Sequence, residues 1–228
     1  MALLDVADIA TEQWGLVTTA QAVAAGVSGP TMARLARDGV LQRLEHGVYK
    51  INGSGYDPRD ELRAAWLMLA PKRTATDRID AQPIDAVVSH RSAARLLELG
   101  DLGADLYEFT VQGRKQTRRK DLRIHVRSTE VARDAWSLVG GLPVTTRTET
   151  LEDLAATHTD GGHLAGVVRD AIATAVVDLD RLSQALHPYS HYYGAPPNDG
   201  RALIRDLLHD AGLPRTTTQA VELLQPPS

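Results

Sequence analysis

The chain has 228 residues, 43% hydrophobic and 24% charged, enough to bury a core in one large domain or two small ones. It has no cysteine, which excludes disulfides, thiolate nucleophiles, Cys-zinc sites and iron–sulfur clusters, and with three Trp, six Tyr and one Phe it is poor in base-stacking rings. The net charge of −4 hides an asymmetry: residues 111–133 carry +6 and residues 134–228 carry −6. The acidic total therefore does not count against nucleic acid, which needs only a local basic face.

The N-terminus, MALLDVADIATEQ, has acidic residues and no basic n-region, so no signal peptide is expected. Nowhere do 18 apolar residues run without a charge. A cytoplasmic protein without membrane contact is the expectation. Leu3, Leu4, Ala7 and Ala10 have helical spacing and predict a helix over residues 3–13, ended by Trp14-Gly15. Thr18 or Thr19 can cap a short second helix bearing Ala22, Val23 and Ala25, which Gly26 stops. Ser28 caps the next helix, Pro30 sits early in it, and Gly39 stops it after Asp38.

Two short helices joined by Gly26-Val27-Ser28 read as a helix-turn-helix. Met32, Leu35 and Ala36 share one face of the second helix, and Thr31, Arg34 and Arg37 the other. An apolar stripe backed by a Thr/Arg face suits a helix lying in a major groove. Leu41 to Leu44 and Val48 to Ile51 read as two strands turning near Gly47, a wing that carries Arg43, His46 and Lys50. Ser28, Thr31, Arg34, Arg37, Arg43, His46 and Lys50 are thus the candidate DNA-contacting residues. Asn52-Gly53-Ser54-Gly55 reads as a linker.

Beyond the linker, Asp57-Pro58 opens a helix to about Leu69, and residues 71–85 read as a loop. Residues 86–88 form a short buried strand, and Ser89 caps a helix over SHRSAARLLEL. Residues 107–112 and 122–126 read as strands joined by GRKQTRRK, expected as a basic hairpin tip. With neighbouring arginines, the second basic patch comprises Arg114, Lys115, Arg118, Arg119, Lys120, Arg123 and Arg127, an expected phosphate-binding surface. Gly140-Gly141 marks another hairpin. Helices follow over about 148–157, 161–176, 179–186 and 199–211, with HPYSHYYGAPP as a loop between the last two. The fold class is α+β: a winged helix-turn-helix domain over residues 1–53, then a mixed α/β domain over 57–228, with a small sheet at about 86–145 and helices over 148–212.

Few residue patterns in the chain point to catalysis. No acidic residue stands two before any of the four lysines, which excludes a restriction-type nuclease. No Gly-Lys pair, His-Arg-Asp or Asp-Phe-Gly occurs, so Walker and conventional kinase signatures are absent. Gly53-Ser54 is wrongly spaced from Asp57 and Asp60 for a nucleotidyltransferase. Ser89, His90 and Arg91 look like a nucleophile with helpers, but neighbours at a helix start are not expected to face one another. No metal site and no cofactor are expected. His187 and His191, four apart, fall in a loop beside Pro188.

Three blocks carry a family resemblance. They are Gly26-Val27-Ser28 with Leu35, Gly39-Val40-Leu41, Arg43 and Gly47-Val48-Tyr49; then Val88-Ser89-His90-Arg91-Ser92-Ala93-Ala94; then Gly141-Leu142-Pro143-Val144-Thr145. In this order they resemble the AbiEi-type antitoxins of type IV toxin–antitoxin and abortive-infection (phage defence) systems. One departure is Glu149, which stands where that family usually has an arginine. The resemblance implies a repressor of its own operon that binds inverted-repeat operator DNA. It also implies an antitoxin that neutralises a cognate nucleotidyltransferase-like toxin without a stable complex, with Ser89, His90 and Arg91 as the antitoxin-domain motif. Two alternatives stay open. One is an atypical protein serine kinase that phosphorylates the toxin and needs ATP and Mg; the other is a plain winged-helix regulator whose second domain senses a ligand or dimerises.

Overall fold

Helix α1 (Ala2–Thr11) opens the chain and buries Val6 and Ala10 completely. These coordinates are a computed structural model that describes residues 2–113, 117, 119–174 and 177–212. They divide into two compact units, Met1–Ala86 with Ser128–Glu130 and Val87–Arg127 with Val131–Ser228.

In the first unit, Trp14 (φ 64°) and Gly15 (φ 77°) turn the chain out of α1 into β1 (Leu16–Thr18), a strand too short for its alternation to show in the sequence. Thr18 caps α2 (Thr19–Ala24) through a capping box: its hydroxyl accepts from the Gln21 amide, and the Gln21 side chain accepts from the Thr18 amide. Ser28 caps α3 (Gly29–Arg37), and Gly39 (φ 75°) leads the chain away from it. Strands β2 (Leu41–Glu45) and β3 (Val48–Ile51) pair antiparallel around Gly47 (φ 78°), and β1 adds to β3 in the order β1-β3-β2. Val6, Val17, Val27, Met32, Leu35 and Leu41 pack into one core. Each such side chain contributes about 1.5–3 kcal/mol by leaving water. This is the winged helix-turn-helix expected from the sequence.

The unit does not stop at the Asn52–Gly55 turn. Helix α4 (Asp60–Leu69) is buried along almost its whole length. Thr18 Oγ1 donates to the Pro71 carbonyl (2.5 Å), Gln21 Nε2 to the Arg73 carbonyl (2.8 Å), and the Ala75 amide to Gln13 Oε1 (3.1 Å). Residues 71–85, expected as a loop, contain α5 (Ala75–Ile79), started by a capping box between Thr74 and Asp77. Arg78 is fully buried, forks onto Asp85, and lies 3.5 Å over the Trp66 ring.

The second unit is built on a five-stranded sheet, ordered β6-β5-β4-β8-β7, of β4 (Ala86–Val88), β5 (Tyr107–Gln112), β6 (Leu122–Arg127), β7 (Trp136–Val139) and β8 (Leu142–Thr145). Gly140 (φ 57°) and Gly141 (φ 84°) form the two-residue turn of the β7–β8 hairpin. The pairing of β5 with β6 is parallel, from Tyr107↔Leu122 to Gln112↔Arg127. The basic stretch between them is therefore no hairpin tip. Its described ends, Gly113 and Asp121, lie at opposite ends of the pair: the Gly113 amide bonds the Arg127 carbonyl, and the Tyr107 amide bonds the Asp121 carbonyl. Arg114, Lys115 and Arg118 fall outside the described residues.

Helix α6 (His90–Leu96) follows β4, and α7 (Arg147–Ala156), α8 (Gly161–Thr174), α9 (Leu179–Leu186) and α10 (Gly200–Asp210) stand where the sequence placed them. They share a core that includes Leu99, Leu151, Leu154, Val168, Leu186 and Leu203. The loop expected over HPYSHYY is a 3-10 helix (His187–Tyr193), ended by Gly194 at φ 85°.

Candidate nucleic-acid interface

Helix α3 is two-sided because its core stripe recurs every three to four residues. Met32 and Leu35 are buried while Arg34 and Arg37 are exposed and Thr31 is half-buried. The Ser28 and Thr31 hydroxyls are hydrogen-bonded to each other (2.9 Å) at the helix start. Arg34 and Arg37 occupy the last turn, where cations are favoured by the helix dipole. The Arg34–Asp38 contact (3.6 Å) joins two largely exposed side chains and holds Arg34 only weakly.

A bulge between Arg43 and Glu45 shifts the register of β2 against β3. Arg43 Nη2 donates to His46 Nδ1 (2.9 Å). A groove of about 540 Å³ separates α3 from β2; Ala33 and Arg37 form one wall, and Gln42, Arg43 and Tyr49 the other. Gln42, exposed and lining the groove, escaped the sequence reading. Lys50 is corrected: it is 6% exposed and ion-paired with Asp60, because the β3 alternation turns it away from the Arg43 side of the wing. It makes no DNA face.

Residues 5–51 match the family model described as "Transcriptional regulator, AbiEi antitoxin". Over these residues the chain is similar to that family. Every exposed candidate on α3 and the wing lies inside the matched residues. No curated protein matches the chain. Among solved structures, the chain is similar to the RV2827C protein from Mycobacterium tuberculosis, with a TM-score of 0.53 and 18% identity over 98% of this chain and 80% of that one. At that identity the likeness concerns the fold alone. Among the described residues, no helix is long and apolar enough to cross a membrane.

Outside the matched segment, two of the described residues of the second basic patch are held in ion pairs. Arg119 pairs with Asp121 (2.6 Å), and Arg127 bridges Glu149 (3.0 Å) and Asp153 (2.8 Å). These carboxylates hold the Arg127 charge, which is corrected from phosphate ligand to internal partner. Lys120 and Arg123 remain exposed. Glu149, at the position of the expected arginine, thus has a defined partner in Arg127.

The Ser89-His90-Arg91 motif also differs from expectation. Ser89 stands at the N-cap of α6 but makes no capping bond; its hydroxyl instead meets His90 Nδ1 at 2.9 Å. The adjacent pair does face, because His90 has left-handed backbone (φ 52°). Arg91 is exposed, with Nη1 3.4 Å from the Gly103 carbonyl.

Around His90 lies a cluster that the sequence reading missed. The parallel register sets Glu108 and Thr110 of β5 on one face with Arg123, His125 and Arg127 of β6. The His90 and His125 rings stack, with centroids 3.4 Å apart and planes at 11°. His125 Nε2 is 3.0 Å from Glu108 Oε2. Burial, reinforced by the His125 and Arg127 charges, pulls the His90 imidazole down to about 3. Burial pushes the Asp153 carboxyl up to about 6 against the pull of Arg127, and raises Glu152 with help from Glu149. At neutral pH this site therefore holds an uncharged His90 ring. The signal in the sequence was the polar alternation of β5 and β6.

Proposed function

We propose that the chain is a DNA-binding transcriptional regulator of the antitoxin kind. Helix α3 enters the major groove of operator DNA, and the Arg43–His46 wing contacts the flanking backbone. At inverted repeats two copies of α3 are needed, one per half-site, and the protein represses its own operon. Its second function is to neutralise a nucleotidyltransferase-like toxin without a stable complex. The observation that carries the reading is the outer face of α3, with Arg34 and Arg37 exposed and Thr31 half-buried, and Arg37 set across a groove from Arg43 within the segment that matches the antitoxin-regulator family.

The test uses the full chain and the DNA upstream of its own reading frame. Fluorescence anisotropy should show saturable binding that competitor DNA of random sequence does not abolish. The Arg34→Ala/Arg37→Ala protein should lose that binding yet still rescue growth when the toxin is co-expressed. Wild-type protein with no preference for the upstream DNA defeats the repressor reading, and failure of wild-type rescue defeats the antitoxin reading.

A further inference from the structure

We propose that His90, Glu108 and His125 form a binding site for one divalent transition-metal ion in the second unit. One nitrogen of each imidazole and one carboxylate oxygen of Glu108 lie within 4.8 Å of one another. Two imidazoles and a carboxylate are a donor set that takes Zn²⁺ at about 2.0–2.2 Å, with a fourth position left open. The three residues come from different elements: the β4–α6 junction, the middle of β5 and the middle of β6.

Three further observations point to a cation. First, His90 is oriented from behind. Its Nδ1 meets Ser89 Oγ at 2.9 Å and Asp153 Oδ2 at 3.7 Å, which leaves the other ring nitrogen for an ion. Outer partners of this kind commonly fix the tautomer and direction of a ligating histidine. Second, Asp153 Oδ2 is buried without a hydrogen-bond partner, on a side chain 7% exposed. Ligation through the far nitrogen of His90 puts a proton on Nδ1, facing that oxygen. Third, Glu108 is almost fully buried, and among the described residues its carboxylate has His125 at 3.0 Å and Arg123 at 4.0 Å for compensation. An ion seated between Glu108 and His125 meets both donor atoms, which lie 3.0 Å apart. The left-handed backbone at His90, costly outside glycine, is what brings its ring over the sheet onto His125.

Tag-free full-length protein, stripped with a chelator, is titrated with Zn²⁺ alone in a calorimeter and with Co²⁺ in a spectrophotometer. One Zn²⁺ per chain, a visible Co²⁺ absorption band and a raised Tm are expected. His125→Gln and Glu108→Gln should each weaken uptake at least tenfold, whereas His187→Gln/His191→Gln should leave it unchanged. Absence of stoichiometric uptake by the wild type overturns the proposal, as does uptake that both cluster variants retain. Because Glu108 is buried, the wild-type protein supplies a second readout. Histidine ring resonances of His90 and His125 must shift on Zn²⁺ addition, and shifts confined to other histidines refute the site.

Discussion

Lys50 on the wing strand and Asp60 in the first turn of α4 form an ion pair in which each side chain is only 7% exposed. Arg63 extends it, bonding Asp60 (3.2 Å) and Asp57 (2.8 Å) from the next turn of α4. The wing is thus anchored to the helix that follows it. Lys50→Ala leaves a buried carboxylate short of a partner and should lower the stability of the first unit by about 3–5 kcal/mol in urea unfolding. Lys50→Met/Asp60→Leu removes both charges and should recover most of that loss. DNA affinity per folded molecule should be unchanged in both proteins, since Lys50 does not face the α3 groove.

Asp57 should make the same region sensitive to acid. The Arg59 side chain, hydrogen-bonded to it, holds the Asp57 carboxyl well below the usual range despite an opposing effect of burial. A carboxyl depressed in the folded state stabilises above its unfolded pKa of about 3.9, and that contribution is lost as pH falls towards the folded value. Asp57→Asn should therefore unfold earlier than wild type at pH 7. The gap should narrow below about pH 4. A gap of constant width across that range, followed by thermal melts, contradicts the assignment.

Arg37 on α3 and Arg43 on the wing should separate by salt dependence. Loss of a bidentate base contact costs about 1–3 kcal/mol and relaxes one operator position. Loss of a phosphate contact lowers the slope of log affinity against log salt by about 0.9. We expect Arg37→Ala to show the first pattern. Arg43→Ala, on the wing, should show the second. Affinities measured between 50 and 200 mM salt on matched and mutated operators decide each case.

Much of the first unit was legible because its signals are local. Ser28, Pro30 and Gly39 bracket α3, and the Met32/Leu35 stripe tells its inner face from its outer one. Alternation, by contrast, assigns faces and says nothing of strand direction, so the parallel β5–β6 pairing was invisible. The partner of Lys50 lies ten residues away across a Gly/Ser turn that looks like a boundary. Arg127 reads as part of a basic run, yet its carboxylates arrive from α7, 22 and 26 residues on. The Ser89–His90 contact depends on a backbone conformation that histidine seldom adopts.

Two glycines in the helical layer should respond oppositely to alanine. A Cβ at Gly200, at the start of α10, sits 2.0 Å from the Ser183 carbonyl oxygen of α9. Gly200→Ala should therefore destabilise by at least about 1–3 kcal/mol, since backbone cannot yield as a side chain does. At Gly166, inside α8, a Cβ meets nothing closer than Gly100 Cα at 3.9 Å. There the better helix propensity of alanine should raise stability, by up to about 1 kcal/mol. Paired thermal melts check both.

The Arg43–His46 hydrogen bond has a consequence for association. An arginine that waves freely in solution gives up about 0.5–1.5 kcal/mol of rotamer freedom when a partner immobilises it. Arg43 has surrendered part of that freedom during folding, because His46 Nδ1 already holds its guanidinium. The wing meets its ligand with the cation aimed, so shortening His46 to alanine should slow no step of folding yet make binding entropically costlier.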